Sequence, residues 1–326
     1  MLRAAVVGAG HQGRYHAAKY AVLPGVRLAA VVDTDGVRAA RVAAETGAEP
    51  YTDHRRVLGR VDVASVAVPV SAHHAIGCDL LDAGVHVLME KPIAGNLDQA
   101  DELNALATAR KRVLQIGHLE RFSSVTLALR EQASHPIFIE ARRLGPFTAR
   151  GTDADVVLDL MIHDIDLALV LANAPIAEVE AHGTSVLSDQ VDVANATLRF
   201  ASGCIANLTA SRVSFGSVRR LRLFQSDAYL AADMNEHVLD TYRRMPARFR
   251  RGTPSIVSSR QMLHRGDALR DEISDFLEAV ITGRPATVSG EEGARALRAA
   301  LCVLEHIQGQ PRSGIRDDRP PRSLRP

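Results

Sequence analysis

Short apolar runs alternate with stretches of helical periodicity through the first 120 residues. The runs typical of strands are 2–7, 28–32, 61–70, 85–89 and 113–116, and the stretches typical of helices are 14–23, 38–46, 75–83 and 97–109. Strands that alternate with helices of about ten residues indicate a parallel, doubly wound α/β sheet. In such a sheet, ligands bind at the carboxyl ends of the strands.

The pattern changes after residue 120. A strand at 137–144 and a strongly apolar helix at 155–171 precede strands at 177–186, 193–200, 203–213 and 218–225 and helices at 267–282 and 291–307. Consecutive strands separated by turns predict an α+β domain with a largely antiparallel, open sheet. We therefore predict one domain over residues 1–120, a second over 121–308, and a flexible tail rich in Arg and Pro over 309–326.

A glycine-rich turn joins the first predicted strand to the first helix. It reads Gly8-Ala9-Gly10-His11-Gln12-Gly13. In such a turn the first glycine allows the tight bend, the second lets the backbone approach a pyrophosphate, and the third lets the helix pack on the sheet. The helix N-terminus, where His11 and Gln12 lie, offers free N–H groups to phosphates. The turn therefore predicts a dinucleotide site.

An acidic residue follows at the end of the second strand. Asp33 stands twenty residues after Gly13. A carboxylate at this place accepts hydrogen bonds from the ribose hydroxyls and repels a 2′-phosphate, so NAD is favoured over NADP. Pro69 and Lys91 also fall at predicted carboxyl ends of strands. We therefore expect these residues to converge on one edge of the sheet.

Lys91 stands out because lysine is scarce. Only three of the 39 basic residues are lysines, and the other two are Lys19 and Lys111. Lysine differs from arginine where a compact, deprotonatable point charge is required. Lys91 follows an apolar strand directly, which makes it a candidate for chemistry.

A polar stripe on the apolar helix of the second domain carries the next signal. Asp155, Asp159, His163 and Asp166 are spaced four, four and three residues apart, which predicts one helical face. Asp159 and His163 would be neighbours, with the carboxylate orienting the imidazole and raising its pKa. A solvated helix face is the alternative. A metal site is disfavoured because no third His or Cys lies at a suggestive spacing.

Composition adds few constraints. The net charge of +1, with 46% hydrophobic and 24% charged residues, points to neither nucleic acid nor an anionic membrane as partner. Cys78, Cys204 and Cys302 are far apart and odd in number, which predicts reduced thiols in a cytoplasmic protein. No apolar run reaches the length of a membrane span.

These motifs together resemble the glucose–fructose oxidoreductase/inositol dehydrogenase (GFO/IDH/MocA) family. The resemblance rests on the glycine turn, Asp33, Pro69 with His73, Glu90-Lys91-Pro92, the pair Asp159 and His163, and the late segment 272–293. One departure is Ile162, where many members have a small, Gly-containing turn. The resemblance implies an N-terminal Rossmann domain with tightly held NAD, contacted by Pro69, His73 and Glu90. It also implies assembly of a homodimer or homotetramer through an open C-terminal sheet.

The resemblance further implies that Lys91, Asp159 and His163 line the substrate site. Segments 117–122 and 146–166 are most similar to members that oxidise the 3-hydroxyl of UDP-N-acetylglucosamine to a ketone, a step toward the diamino sugar of lipid A. The alternatives are an NAD-dependent inositol or free-sugar dehydrogenase, a more distant biliverdin-reductase-like enzyme, and a non-catalytic NAD-sensing regulator.

A nucleotide-sugar substrate needs cations for its diphosphate. Arginine binds phosphate oxygens bidentately, and the candidates are Arg121, Arg212, Arg219 and Arg220.

Two divisions of labour remain open for the oxidation step. In the first, His163 takes the hydroxyl proton, held by Asp159, while Lys91 stabilises the developing alkoxide. In the second, Lys91 is the base, with its pKa lowered by burial and by the charge of NAD⁺.

Overall fold

The computed structural model describes residues 1–148, 155–245 and 255–309, which form two sheets with their helices. This architecture confirms the predicted combination of a Rossmann sheet with a mixed, largely antiparallel C-terminal sheet. None of the helices in these ranges is long and apolar enough to cross a membrane.

The first sheet has six parallel strands in the order β3-β2-β1-β4-β5-β6. The strands are β1 Leu2–Val7, β2 Val26–Val32, β3 Glu49–Tyr51, β4 Val63–Val66, β5 His86–Glu90 and β6 Leu114–Gly117, and the helices are α1 His11–Val22, α2 Gly36–Thr46, α3 His73–Asp82 and α4 Leu97–Arg110. Because the strand order reverses between β1 and β4, a crevice for a ligand opens at their carboxyl ends.

The second sheet has eight strands in the order β14-β13-β12-β11-β7-β10-β9-β8. The strands are β7 Phe138–Leu144, β8 Ile176–Thr184, β9 Val193–Phe200, β10 Ile205–Ser211, β11 Val218–Phe224, β12 Ala228–Asp233, β13 Val238–Arg244 and β14 Ile256–Met262. All neighbours are antiparallel except β7 and β10. Helices α5 Ser124–Gln132, α6 Ile162–Ala172, α7 Ala268–Thr282 and α8 Gly290–Gly309 complete the described chain.

Alternation along the strands separates a packed face from an open one. Ile139 and Ala141 of β7 are fully buried and join the core formed with α6 and α8. On the opposite face, Phe138, Phe224 and Tyr229 form a row of ring contacts that continues to Tyr242, which is 47% exposed. Arg220 and Arg222 of β11, which share this face with Phe224, are exposed.

The end of the chain returns to the Rossmann domain. Ile273 and Phe276 of α7 are buried in the core around β1 and β2. Val288 and Leu297 belong to the core on the other side of that sheet. Residues 121–308 therefore contribute to the cores on both sides of the Rossmann sheet as well as to the core of the second sheet. The division at residue 120 stays a prediction.

Several elements differ from the sequence-based expectations. The predicted strand 61–70 ends at Val66, and the predicted helix 155–171 is a π-helical turn, Val157–Met161, followed by α6. The elements without a predicted counterpart are β3, α5, β12, β13 and β14. Strand β14 could not be recognised because apolar and polar residues do not alternate along it. All seven of its residues are exposed, so neither face has to be apolar. Of the predicted tail, Gly309 ends α8, and residues 310–326 lie outside the described ranges.

Candidate active site

The glycine-rich turn after β1 is shaped by close backbone packing. Gly8 has φ of +95°, and a Cβ there would lie 2.2 Å from the carbonyl oxygen of Ala67. A Cβ on Gly13 would lie 1.7 Å from the carbonyl oxygen of Gly8. A Cβ on Gly10 would meet nothing within 4 Å. The protein's own packing thus requires Gly8 and Gly13, whereas Gly10 leaves a bare surface that a ligand can approach.

The N-terminus of α1 faces the same edge of the sheet. The helix begins at His11, its N-cap residue Gly10 offers no side-chain hydrogen bond, and the first turn contains no acidic residue. His11 and Gln12 are exposed, and the N–H groups of this turn have no intrahelical acceptor. These groups carry the positive end of the helix dipole, so the turn fits a pyrophosphate.

Asp33 is tied to the glycine turn. Its carboxylate accepts hydrogen bonds from the backbone N–H of Ala9 at 2.8 Å and of Asp35 at 2.9 Å. Arg38 approaches the same carboxylate, with its Nη1 3.7 Å from Oδ2. The turn and the acid therefore form one unit at the ends of β1 and β2, as a site for NAD requires.

His73 connects the loops that follow β4 and β5. Its ring nitrogens lie 2.9 Å from the carbonyl oxygen of Pro92 and 3.0 Å from that of Val68. Burial is the main cause that lowers the pKa of His73. Both ring nitrogens contact backbone carbonyl oxygens, so in this structure His73 links the two loops. That Pro69 and His73 contact the cofactor stays a prediction.

Glu90 ends a buried chain of polar groups beneath the strand ends. Its Oε1 lies 3.0 Å from Nε2 of His16, whose Nδ1 lies 3.1 Å from the hydroxyl of Ser65. The hydroxyl of Tyr20 lies 3.0 Å from the same serine oxygen. Burial would raise the pKa of Glu90, but the hydrogen bond with His16 and nearby positive charge outweigh it and leave the pKa lowered. Sequence reasoning missed His16 because its partners lie 49 and 74 residues away.

Lys91 is held by the second domain. Its Nζ donates to the backbone carbonyl oxygen of Asp159 at 2.6 Å and to Oδ1 of that residue at 3.3 Å. The Lys91 side chain is 16% exposed and that of Asp159 40%. Two of the three ammonium N–H groups are engaged, so one remains for a substrate oxygen.

His163 lies beside this pair but is not hydrogen-bonded to Asp159. The residue is partly exposed, whereas its Nδ1 is buried and has no hydrogen-bond partner among the described residues. Burial lowers the pKa of His163 well below its ordinary value, and the charges of Lys91 and Arg143 lower it further. The imidazole is therefore neutral and able to accept a proton.

The predicted pairing of Asp159 with His163 is thus wrong in both its geometry and its effect on the pKa. The turn Val157–Met161 is π-helical, which places an extra residue in the turn. One residue rotates the following side chains by about 100° around the axis. The four-residue spacing consequently does not stack Asp159 on His163.

The predicted stripe is divided by the same turn. Asp155 accepts a hydrogen bond from the backbone N–H of Val191 at 3.0 Å. Asp166 is 1% exposed and is bound by Arg121. Only Asp159 and His163 of the four stripe residues therefore accompany Lys91.

Two predicted substrate arginines have other tasks. Arg121 is 3% exposed and donates to both carboxylate oxygens of Asp166 at 2.7 and 2.6 Å and to Glu292 at 2.9 Å. Arg212 is 6% exposed and donates to Asp192 at 2.7 Å. The assignment of Arg121 and Arg212 to the diphosphate is corrected, because a buried guanidinium neutralised by carboxylates has little capacity left for phosphate.

The two remaining candidates are more exposed. Arg220 is bound to Asp233 at 2.7 Å on the open face of the second sheet. Arg219 has a half-exposed side chain, with its Nη1 3.8 Å from Oε1 of Glu120, and its charge contributes to lowering the pKa of His163. Of the four candidate arginines, Arg219 is therefore the one whose charge the structure connects with His163.

His118 was missed in the sequence. It directly follows β6, is 1% exposed, and neither of its ring nitrogens has a hydrogen-bond partner in the described part of the chain. Its ring centroid lies 6.4 Å from that of His163, with the rings at 84°. A lone histidine after a strand gives no signal in sequence, because its neighbour is 45 residues away.

Curated relatives cover nearly the whole chain. UDP-N-acetylglucosamine 3-dehydrogenase of Acidithiobacillus ferrooxidans is 40% identical over 308 residues, which cover 94% of this chain and 97% of that protein. A solved structure of that enzyme from the same organism matches with a TM-score of 0.88 at 39% identity, covering 94% of this chain and 98% of that one. Myo-inositol 2-dehydrogenase of Thermotoga maritima is 26% identical over 338 residues, covering 94% and 96%.

Family models match both parts of the chain. Residues 2–118 match the oxidoreductase family with an NAD-binding Rossmann fold, and residues 109–231 match the GFO/IDH/MocA C-terminal domain. The fold and the site thus define an NAD-dependent dehydrogenase that acts on a CH–OH group. The chain belongs to the GFO/IDH/MocA family, which confirms the resemblance found in its motifs.

Proposed function

We propose that this dehydrogenase oxidises the 3-hydroxyl of UDP-N-acetylglucosamine to a ketone. The cluster of Lys91, Asp159 and His163 at the carboxyl edge of the Rossmann sheet carries the proposal. The cluster joins a cation to a neutral imidazole, and Lys91 directly follows β5 at the edge of the sheet where the dinucleotide turn follows β1. The 40% identity to an enzyme named for that substrate, over 94% of this chain, favours the nucleotide sugar over an inositol.

The chemistry divides between one carbon and its oxygen. Bound NAD⁺ supplies the acceptor for the hydride that leaves the sugar carbon. His163 accepts the proton that leaves the hydroxyl, since its lowered pKa keeps the imidazole neutral. Lys91 donates its free N–H to the same oxygen and stabilises the negative charge that develops there.

Asp159 acts on the lysine rather than on the histidine. Its carbonyl and carboxylate oxygens hold Nζ of Lys91 at 2.6 and 3.3 Å. A positioned ammonium can donate to the reacting oxygen without a search through side-chain rotamers. Among the predicted divisions of labour, this arrangement favours His163 as the base and Lys91 as the group that stabilises the oxygen.

The substrate's diphosphate requires a cation at the edge of the site. With Arg121 and Arg212 engaged in buried ion pairs, Arg219 is the arginine that we assign to this contact. Its side chain is 50% exposed, and its only close carboxylate in the described ranges is Glu120 at 3.8 Å. A phosphate can outcompete such a long contact through bidentate hydrogen bonds.

The reaction is tested by following NADH formation at 340 nm with UDP-N-acetylglucosamine, myo-inositol and scyllo-inositol as separate substrates. We expect turnover with the nucleotide sugar and a product lighter by two hydrogens in its mass spectrum. Turnover of an inositol without turnover of the nucleotide sugar would refute the proposed substrate. The same assay with NADP⁺ tests the preference that Asp33 predicts.

The cellular setting follows from the same reading. A 3-keto nucleotide sugar is the precursor that an amine donor needs to form a diamino sugar, so we place the enzyme in lipid A synthesis in the cytoplasm.

We also propose assembly as a homodimer or homotetramer through the open face of the second sheet, where Phe138, Phe224, Tyr229 and Tyr242 line up. Light scattering coupled to size exclusion tests this, and a strict monomer would contradict it.

A further inference from the structure

Three buried ring nitrogens beside the site lack partners. They are Nδ1 of His163 and both nitrogens of His118, as far as the described residues show. A buried polar atom without a hydrogen bond costs roughly 1–3 kcal/mol, so such atoms are normally satisfied by protein or by ordered water. Two neighbouring histidines with three open positions therefore indicate that hydrogen bonds connect them in the working enzyme.

A fixed carboxylate lies close to Nδ1 of His118. Oδ2 of Asp166 is 3.9 Å from Nδ1 of His118, and both side chains are 1% exposed. Arg121 holds Asp166 through two hydrogen bonds of 2.7 and 2.6 Å. The distance to His118 exceeds that of a hydrogen bond, but a shift of less than about 1 Å would close it.

The carboxylate of Asp166 determines the direction of the hydrogen bonds that would link Asp166, His118 and His163. A carboxylate only accepts hydrogen bonds, so the His118 nitrogen that faces Asp166 carries the proton. The other nitrogen of neutral His118 then has a lone pair and can only accept. His163, whose ring centroid lies 6.4 Å from that of His118, is a group that can donate to this lone pair.

We propose that His118 is a positioning residue that fixes the tautomer of His163. Asp166 holds the proton on Nδ1 of His118, and Nε2 of His118 accepts, directly or through one water, from Nδ1–H of His163. The Nε2 lone pair of His163 is then free to take the proton of the sugar hydroxyl. The same logic of carboxylate, imidazole and fixed tautomer operates in catalytic triads. The inference rests on the proposed role of His163 as proton acceptor.

The surrounding charges are consistent with two neutral imidazoles. His163 is faced by Lys91, Arg143 and Arg219 as well as by His118, and burial is the main cause that lowers its pKa. His118 is faced by Asp166 and Glu90 on the anionic side and by Arg121 and Lys91 on the cationic side. Burial again dominates and lowers the pKa of His118. Neither ring therefore carries a second proton before the reaction.

This arrangement replaces the pairing that the spacing of Asp159 and His163 suggested. The π-helical turn removes Asp159 from His163, and the carboxylate that supports the histidine comes from Asp166 through His118. Asp159 is left to hold Lys91. Lys91 is then held by Asp159, and His163 is oriented by Asp166 through His118.

The test reads the tautomer directly. The full-length enzyme, with ring-¹⁵N histidine and saturating NADH, is studied by long-range ¹H–¹⁵N spectra, and His163 is assigned from its loss in His163→Gln. We expect the Nδ1–H tautomer of His163 in the wild-type enzyme and a mixture of tautomers in His118→Phe. Because this readout requires only the cofactor, it stands even if UDP-N-acetylglucosamine proves not to be the substrate.

Kinetics give the second readout. In His118→Phe, kcat should fall on the order of 10–100-fold, as for other partners that orient a working histidine, while KM changes little. His118→Gln, whose amide oxygen can accept a hydrogen bond, should recover part of that loss. His306→Phe, on the exposed side of α8, serves as a control for histidine loss and should match the wild type.

Defined outcomes overturn the proposal. They are an Nε2–H tautomer of His163 in the wild-type enzyme, ring shifts of His163 that His118→Phe leaves unchanged, or an effect of that variant confined to KM for NAD. The last result would assign His118 to the cofactor. If His118→Phe does not fold, the wild-type tautomer still decides the question.

Discussion

Adding one methyl group to Gly10 or to Gly13 should separate cofactor binding from folding. The two glycines belong to the same turn and differ by three positions. A Cβ on Gly13 would lie 1.7 Å from the carbonyl oxygen of Gly8 and 2.7 Å from its carbonyl carbon. A Cβ on Gly10 would meet nothing within 4 Å, and Gly10 has φ of −72°, which alanine adopts without strain.

The magnitudes follow from these distances. Ordinary contact of a Cβ begins at 3.4 Å, so Gly13→Ala must move backbone rather than the end of a flexible side chain. Such overpacking costs typically about 1–3 kcal/mol and occasionally more. At the upper end, the melting temperature of a domain of this size falls by roughly 6–12 °C. Gly10→Ala should leave the melting temperature unchanged but occupy the surface that a pyrophosphate approaches, weakening NAD binding by about tenfold or more, or about 1.4 kcal/mol.

The assay combines thermal unfolding without cofactor and titration with NAD⁺ for the wild type and both variants. Each variant is the other's control, because the chemical change is identical. Gly13→Ala with a wild-type melting temperature would refute the packing argument. Gly10→Ala that binds NAD⁺ as tightly as the wild type would show that the pyrophosphate does not approach this surface.

Three further substitutions address the cofactor preference, the buried ion pairs and the cation proposed for catalysis. Asp33→Asn keeps the shape of the side chain but removes its charge beside Arg38, so the ratio of kcat/KM for NAD⁺ over NADP⁺ should fall by about 10–100-fold; an unchanged ratio would contradict the role of that charge. Arg121→Met leaves the carboxylates of Asp166 and Glu292 without their partner and should lower the free energy of unfolding, measured by urea denaturation, by about 3–5 kcal/mol. If the variant instead has normal stability and a raised KM for the nucleotide sugar, Arg121 is a substrate ligand after all. Lys91→Met should lower kcat by on the order of 10²–10⁴. Because the charge of Lys91 lowers the pKa of His163, the same variant should move the acidic limb of the kcat profile to higher pH. Lys111→Met at the end of α4 is the control, and activity of Lys91→Met within about threefold of wild type would remove Lys91 from the mechanism.

The sequence predicts the cofactor half of the molecule well for a physical reason. Its parallel strands are buried on both faces, so they appear as apolar runs bounded by glycines and acids. The ends of such strands must meet at one edge, which brings Gly8, Asp33 and Lys91 together without knowledge of the structure. Local pattern and topology suffice there.

The second half of the site depends on information that local pattern does not contain. The α-helical period predicts one stripe from Asp155 to Asp166, but one π-helical turn changes which side chains share a face. Nothing in the composition of Val157–Met161 marks that turn. The partners of Arg121 likewise lie 45 and 171 residues away, so its choice of carboxylate over phosphate is decided by tertiary packing.

Two buried arginines explain how His163, the proposed base, is held. Asp164 follows His163 directly and is bound by Arg143 of β7 at 3.1 and 2.9 Å. Asp166, two residues later, is bound by Arg121, which follows β6 of the Rossmann domain. Ile162 and Ile165 pack the start of α6 into the core, and these two ion pairs tie the same turn to β7 and to the segment that follows β6. Buried ion pairs contribute little net stability, and their attested value lies in specifying one arrangement. Here that arrangement sets the distance between His163 and Lys91, and the proposed removal of a proton from a bound sugar depends on that distance.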